Sequence, residues 1–185
     1  MRRWLFLLIA VAVMAQTYGR QTFKIDRPHS TIAFKVRHLL GTARGNFSKF
    51  SGAIVVDREH PDQSLVTVRI DASSIDTGIA KRDEHLRTQL FNVERYPEIT
   101  FKSRRVTRTG ADSADVVGDL TMHGVTREIT LNVQLLLNDG SHWRVTTPPL
   151  RRSQFGLMFS KSAEVVSGIA DDVAVDIEIG AERDK

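Results

Sequence analysis

The chain has 185 residues, 41% hydrophobic and 26% charged, with a formal net charge of +4 and no cysteine. That length suits one domain with a self-sufficient core, and the lack of cysteine excludes disulfides, a thiol nucleophile, a Cys-ligated metal and a lipidated N-terminal cysteine. Two of the positive charges are Arg2 and Arg3; the remaining +2 is spread among interspersed acids and bases, well short of a nucleic-acid footprint.

Arg2 and Arg3 precede an apolar run from Trp4 to Met14, which is too short for a bilayer span of about 20 residues but suits a signal-peptide h-region. Val13-Met14-Ala15 offers a small-residue cleavage site. Residues 1–15 are therefore read as a signal peptide, with a cut after Gly19 as the alternative, and 16–185 as one exported domain, periplasmic or secreted. The paired arginines satisfy an ordinary n-region and also fit twin-arginine export.

Alternation of apolar and polar residues predicts strands along the rest of the chain. Ile32, Phe34, Val36 and His38 share one face, opposite Lys35 and Arg37, and Phe50, Gly52, Ile54 and Val56 repeat the pattern before a turn at Glu59-His60-Pro61-Asp62. Gly41 and Gly45 are placed in the connection between these strands. Val66, Val68 and Ile70 form the next strand. The one helix is predicted near residues 78–91, from the stripe of Ile79, Leu86 and Leu90, with Asp76 or Thr77 as its cap and Pro97 closing off any continuation. Ile99, Phe101 and Ser103 begin another strand. Val116, Gly118, Leu120 and Met122 follow, then Ile129 to Leu137, the turn signal Asn138-Asp139-Gly140, and a last strand through Val173, Val175, Ile177 and Ile179. Pro148-Pro149 interrupts the stretch from Ser141 to Ser162. About eight strands, mostly joined by short turns and each with one apolar face, predict an all-β antiparallel barrel or sandwich.

Catalytic patterns are sparse. The six histidines are scattered without His-x-His or His-Glu-x-x-His spacing, no Gly-x-Ser-x-Gly elbow occurs, and the Gly41 to Gly45 segment lacks the Gly-Lys of a phosphate loop. The chain is therefore read as non-enzymatic, with neither metal nor cofactor.

Several motifs occur in order along the chain: Asp26-Arg-Pro-His29-Ser30, Phe34-x-Val-x-His38, Gly45-x-Phe47-x-x-Phe50-x-Gly52, Ser73-Ser-Ile-Asp76-Thr77, Arg82-Asp83-x-His85-Leu86, Tyr96-Pro97-x-Ile-Thr-Phe101, Gly118-Asp-Leu-Thr121-x-x-Gly124-Val-Thr126 and Arg152-Ser-x-Phe155-Gly156. Together they resemble the YceI-like family of lipid- or polyisoprenoid-binding proteins. Met122-His123 and the Pro148-Pro149 lead-in depart from the family pattern. The resemblance implies a single lipocalin-like antiparallel β-barrel with a helical insertion, exported, whose apolar interior takes a polyisoprenoid, isoprenoid quinone or fatty-acyl chain for transport, storage or stress protection. The apolar parity then assigns a tunnel to Ile32, Phe34, Val36, His38, Phe50, Ile54, Val68, Ile70, Phe101, Leu120, Met122, Phe155 and Leu157, with Arg82, Asp83 and His85 at a headgroup site or mouth. His38 and the helix cluster also admit purely structural roles, as a backbone-bonded histidine and a salt-bridge lattice. Expected partners are the apolar ligand, a membrane surface in passing and a second copy paired through an exposed edge strand, with no nucleic acid. The alternative is a barrel with a filled cavity that serves as an interaction or stress-response module for a protein partner.

Overall fold

The structure, a computed structural model, describes residues 19–137, 141–162, 166 and 168–184. The signal-peptide reading and the Asn138-Asp139-Gly140 turn lie outside the described residues.

Eleven strands form one sheet: β1 (Gln21–His38), β2 (Gly41–Phe47), β3 (Phe50–Val56), β4 (Leu65–Asp71), β5 (Ile75–Asp76), β6 (Glu98–Arg108), β7 (Ser113–Met122), β8 (Val125–Leu135), β9 (His142–Thr146), β10 (Leu150–Arg151) and β11 (Asp172–Arg183). The order β10-β11-β9-β8-β7-β6-β4-β3-β1-β2-β5 closes through a β11–β1 pairing, so the sheet becomes an antiparallel barrel. Its wall has eight positions. Three are filled by broken strands: β2 and β3 run in tandem along β1, β4 and β5 run in tandem along β3 and β2, and β9 and β10 run in tandem along β11, split at Pro148-Pro149 because proline cannot donate to the ladder. The sheet order ends in β5 and β10, each two residues long.

Period-two alternation predicts most of the wall, with one correction. Gly41–Phe47 is strand, not connection. Gly45 lies opposite Phe34 on the ladder, and a Cβ there would come within 2.5 Å of the Phe34 ring and 2.8 Å of the Asp76 carbonyl oxygen. The glycine is thus a strand residue made bare so that an aromatic ring can cross it.

Up-and-down connectivity sorts the loops by end. At one end, here the upper, lie the β1–β2 tip, the segment from Ala72 to Pro97, the β7–β8 turn and the segment from Arg152 to Asp171; the lower end carries the β3–β4, β6–β7 and β8–β9 connections. The β7–β8 turn has two central residues, His123 and Gly124, both with positive φ (52° and 73°), as the twist of a tight hairpin requires. Tyr96 stacks edge-on against His123 at 4.6 Å, and His123 Nδ1 lies 3.2 Å from the Phe155 carbonyl oxygen, which knits three upper segments together.

The helix α1 (Ala80–His85) passes into a π-helical turn, Leu86–Leu90. Its start departs from expectation. Neither Asp76 nor Thr77 caps it; Ile79 occupies the cap position with no side-chain bond. Instead Asp83, inside the helix, reaches back to accept the Thr77 N–H at 2.9 Å and the Thr77 hydroxyl. Leu90 and Phe91 bury into the core, and Phe91 meets Phe47 edge-on at 6.0 Å, so the insertion packs across part of the upper end.

Candidate functional site: an apolar cavity through the barrel

Side chains do not fill the barrel. They leave a cavity of about 1290 Å³. Alternation along each strand explains its character, since every second residue points inward and those positions are Val, Ile, Leu or Phe almost throughout.

Eleven residues of the sequence-predicted tunnel lie in the cavity wall: Ile32, Phe34, Val36, His38, Ile54, Val68, Ile70, Phe101, Leu120, Met122 and Leu157. Two do not. Phe50 is half-buried at the first position of β3, in register with Ile70, and lies beyond the end of the cavity wall. Phe155 is 1% exposed in a 3-10 turn, Arg152–Phe155, and is packed within the core instead of facing the cavity. Among the mouth residues, Arg82 and His85 line the cavity. Asp83 does not: it is 5% exposed and committed to Thr77.

His38 closes β1 with its Nδ1 3.3 Å from the Leu40 N–H, a backbone bond at the lip of the cavity. Arg82 donates from Nε to Thr77 Oγ1 at 2.8 Å and from Nη2 to the Thr77 carbonyl at 3.0 Å, which fixes the chain leading into α1.

Sequence reasoning missed other parts of the wall. Trp143 on β9 faces the cavity and packs edge-on against Phe23 at 5.4 Å, with Ile179 and Ala181 in the same cluster. Leu39, Leu40, Ile79 and Lys81 surround the upper opening. The alternation of β11 was the available signal for Val173, Val175, Ile177 and Ile179; the loop residues had none, because periodicity says nothing about where a loop sits.

The polar residues of the lining lie mostly at the two ends. At the lower end Asp57, Arg58, Arg108 and Asp112 border the cavity. The Asp57 carboxyl is held below its ordinary value, first by the His60 N–H and then, against the opposing effect of burial, by Arg20 and the Glu59 N–H. At the upper end a network ties down the segment before β11. Arg152, buried, donates to the carbonyls of Leu157 (2.9 Å), Ala170 (3.0 Å) and Ile169 (3.1 Å). Asp171 accepts the Ser153 N–H at 2.8 Å and its hydroxyl at 2.7 Å. Burial pushes the Asp171 carboxyl up, but the Ser153 bonds and the charges of Arg152 and Arg151 prevail and hold it below the ordinary value.

The arrangement can enclose an elongated apolar molecule. Among the described residues, no group of three or more His, Asp or Glu side chains converges as a metal site would require.

Comparison with known proteins agrees with this geometry. A family model described as YceI-like domain matches residues 23–181. A UPF0312 protein of Photorhabdus laumondii is 38% identical over 141 residues, covering 74% of this chain and 70% of its own, and the protein YceI of Escherichia coli O157:H7 is 38% identical over 125 residues, 65% of each. The chain thus spans about two thirds of the length of these relatives. Among solved structures, Burkholderia cenocepacia BcnA superposes with a TM-score of 0.75 at 24% identity, covering 84% of this chain and 98% of that one. A polyisoprenoid-binding domain from Saccharophagus degradans superposes with a TM-score of 0.68 at 22% identity, covering 88% and 98%. At those identities the two structures speak for the fold. Matched from Phe23 to Ala181 by the family model, and folded as the family's barrel, the chain belongs to the YceI-like family.

Proposed function

We propose that this protein is an exported, non-enzymatic binding protein that encloses one long apolar chain, a polyisoprenoid, an isoprenoid quinone or a fatty-acyl tail, for transport, storage or protection under stress. One observation carries the reading: an unfilled cavity of about 1290 Å³ runs through the barrel with an almost wholly apolar wall. It exceeds the volume of about 300–1,000 Å³ usual for small-molecule pockets. The Saccharophagus degradans domain, described as polyisoprenoid-binding, lends the same class of ligand.

The energetics fit. Burying a methylene is worth about 0.8 kcal/mol, so two five-carbon isoprene units contribute on the order of 8 kcal/mol before ordering costs. Selectivity among tails of similar girth is correspondingly weak, since one methylene discriminates by only about 1–3 kcal/mol. The purified protein, analysed by native mass spectrometry and organic extraction, is expected to carry one isoprenoid or acyl molecule per chain. A protein that is empty and also refuses added polyprenyl and acyl chains would overturn the proposal and favour a protein partner.

A further inference from the structure

The upper opening of the cavity has a raised apolar lip. Three separate segments build it. The β1–β2 tip presents Leu39 and Leu40, 75% and 91% exposed. The chain leaving β5 climbs alongside β2, with Asp76 opposite Asn46 and Thr77 against Gly45, and brings Ile79, 51% exposed, toward that tip. From the other side, the segment before β11 docks through Gly168 against Leu39 and an Ala170 N–H bond to the Arg37 carbonyl, and presents Val166, 77% exposed. All four apolar side chains also line the cavity, so the exposed patch and the cavity wall are one continuous surface.

An exposed apolar patch of this kind marks an interaction surface. The charges beside it select the occupant. Lys81 and Arg82 border the same opening, and neither forms an ion pair with a described carboxylate; Glu84, the exposed acid of α1, is turned toward Arg87 at 4.0 Å. Some bases of the outer surface are matched, as in Lys35–Asp176, Arg69–Glu98, Arg104–Asp119 and Arg144–Glu178, whereas Arg37 and Arg44, on the strands that lead to the β1–β2 tip, add to the positive charge near the lip without a described carboxylate partner. Apolar tips backed by unpaired bases are what an anionic bilayer surface takes: the tips enter the acyl boundary and the cations meet lipid phosphates. Among the described residues no helix is long and apolar enough to cross a membrane, and the charged outer strand faces are the reverse of a membrane-spanning barrel's, so the contact is at the surface.

We infer that the upper lip, built by Leu39, Leu40, Ile79 and Val166 with Lys81 and Arg82 behind them, docks on anionic phospholipid bilayers and sets the cavity opening against the acyl layer. A tail then passes between membrane and barrel without crossing water. The purpose of the docking rests on the cavity reading; the docking itself is measured separately.

The test uses a chain of residues 19–185, which contains every strand of the closed barrel. It is sedimented with vesicles of phosphatidylglycerol and phosphatidylcholine, or of phosphatidylcholine alone. Binding to the anionic vesicles is expected, weakening as salt is raised. L39S/L40S should lose at least tenfold in partition with an unchanged melting temperature, and K81E should lose binding to the anionic vesicles. L136S/L137S, which removes exposed leucines at the lower end, should bind like wild type. Wild-type protein that stays in solution, or L39S/L40S that binds as well as wild type, overturns the inference. Loading of a fatty acid by wild type in solution is measured alongside, so a failed cavity and a failed dock give different results.

Discussion

At the scale of single residues, the buried guanidinium of Arg152 holds the upper segment in place. It donates to three backbone carbonyls, on Leu157, Ile169 and Ala170. Arg152→Met removes those bonds inside a closed environment and is expected to cost about 3 kcal/mol, a fall in melting temperature of roughly 6–12 °C. Its neighbour Arg151 is exposed and only 3.8 Å from Asp172, so Arg151→Met should cost less than about 1 kcal/mol. Thermal unfolding of the two variants side by side checks the contrast.

Two groups at this scale also give opposite pH dependences. Asp171 is held below its ordinary value of 3.8, so its contribution is present above that value and is lost as pH falls through the lower folded value. His29 is raised above 6.5, first by its hydrogen bond to Asp26 and then by that residue's charge; its contribution is complete below 6.5 and fades as pH rises through the folded value. Melting curves from pH 3 to 8 should show Asp171→Asn losing its deficit only at the acid end, and His29→Asn closest to wild type at the alkaline end.

At the scale of elements, the tandem β2–β3 strand depends on the close crossing at Gly45. Gly45→Ala forces the added carbon toward the Phe34 ring and the Asp76 carbonyl, and the latter is fixed by the β2–β5 pairing. A cost of about 1–3 kcal/mol is expected from overpacking, measured by denaturant unfolding. The strands with clean alternation, β1, β4, β7, β8 and β11, were legible because period two is imposed by the pleat whatever the partner. Gly41–Phe47 was not, although Thr42, Arg44 and Asn46 alternate with Ala43, Gly45 and Phe47, because its two glycines read as a turn and the ring that faces Gly45 lies on another strand. The same holds for α1, where a sequence-local cap was expected and the real anchor, Asp83 to Thr77, runs backward from inside the helix. Phe155 was misplaced for a related reason, since parity fails inside a 3-10 turn, whereas Phe50 keeps the parity of β3 and only its position at the strand's first residue leaves it out of the wall.

At the scale of the whole molecule, the barrel is apolar within and charged without. Its family and architecture were legible from ordered motifs and alternation, whereas the cavity was not, since the same alternation serves a packed core equally well. Widths, tilts and the summed volumes of facing side chains decide between the two. Val68→Trp, which adds bulk at a wall position, should therefore reduce ligand uptake at least tenfold while leaving the strands intact by circular dichroism.

Enclosure of an apolar chain inside the barrel can be read from Trp143. In a chain of residues 19–185 it is the sole tryptophan, and its ring faces the cavity on β9 near Phe23, away from the upper opening. Titration with a fatty acid brominated near its methyl end, below the concentration at which it aggregates, is predicted to quench Trp143 fluorescence to saturation at one molecule per chain, and to fail to do so in Val68→Trp after correction for the added ring. Fluorescence that stays constant, or falls without saturating, would contradict enclosure.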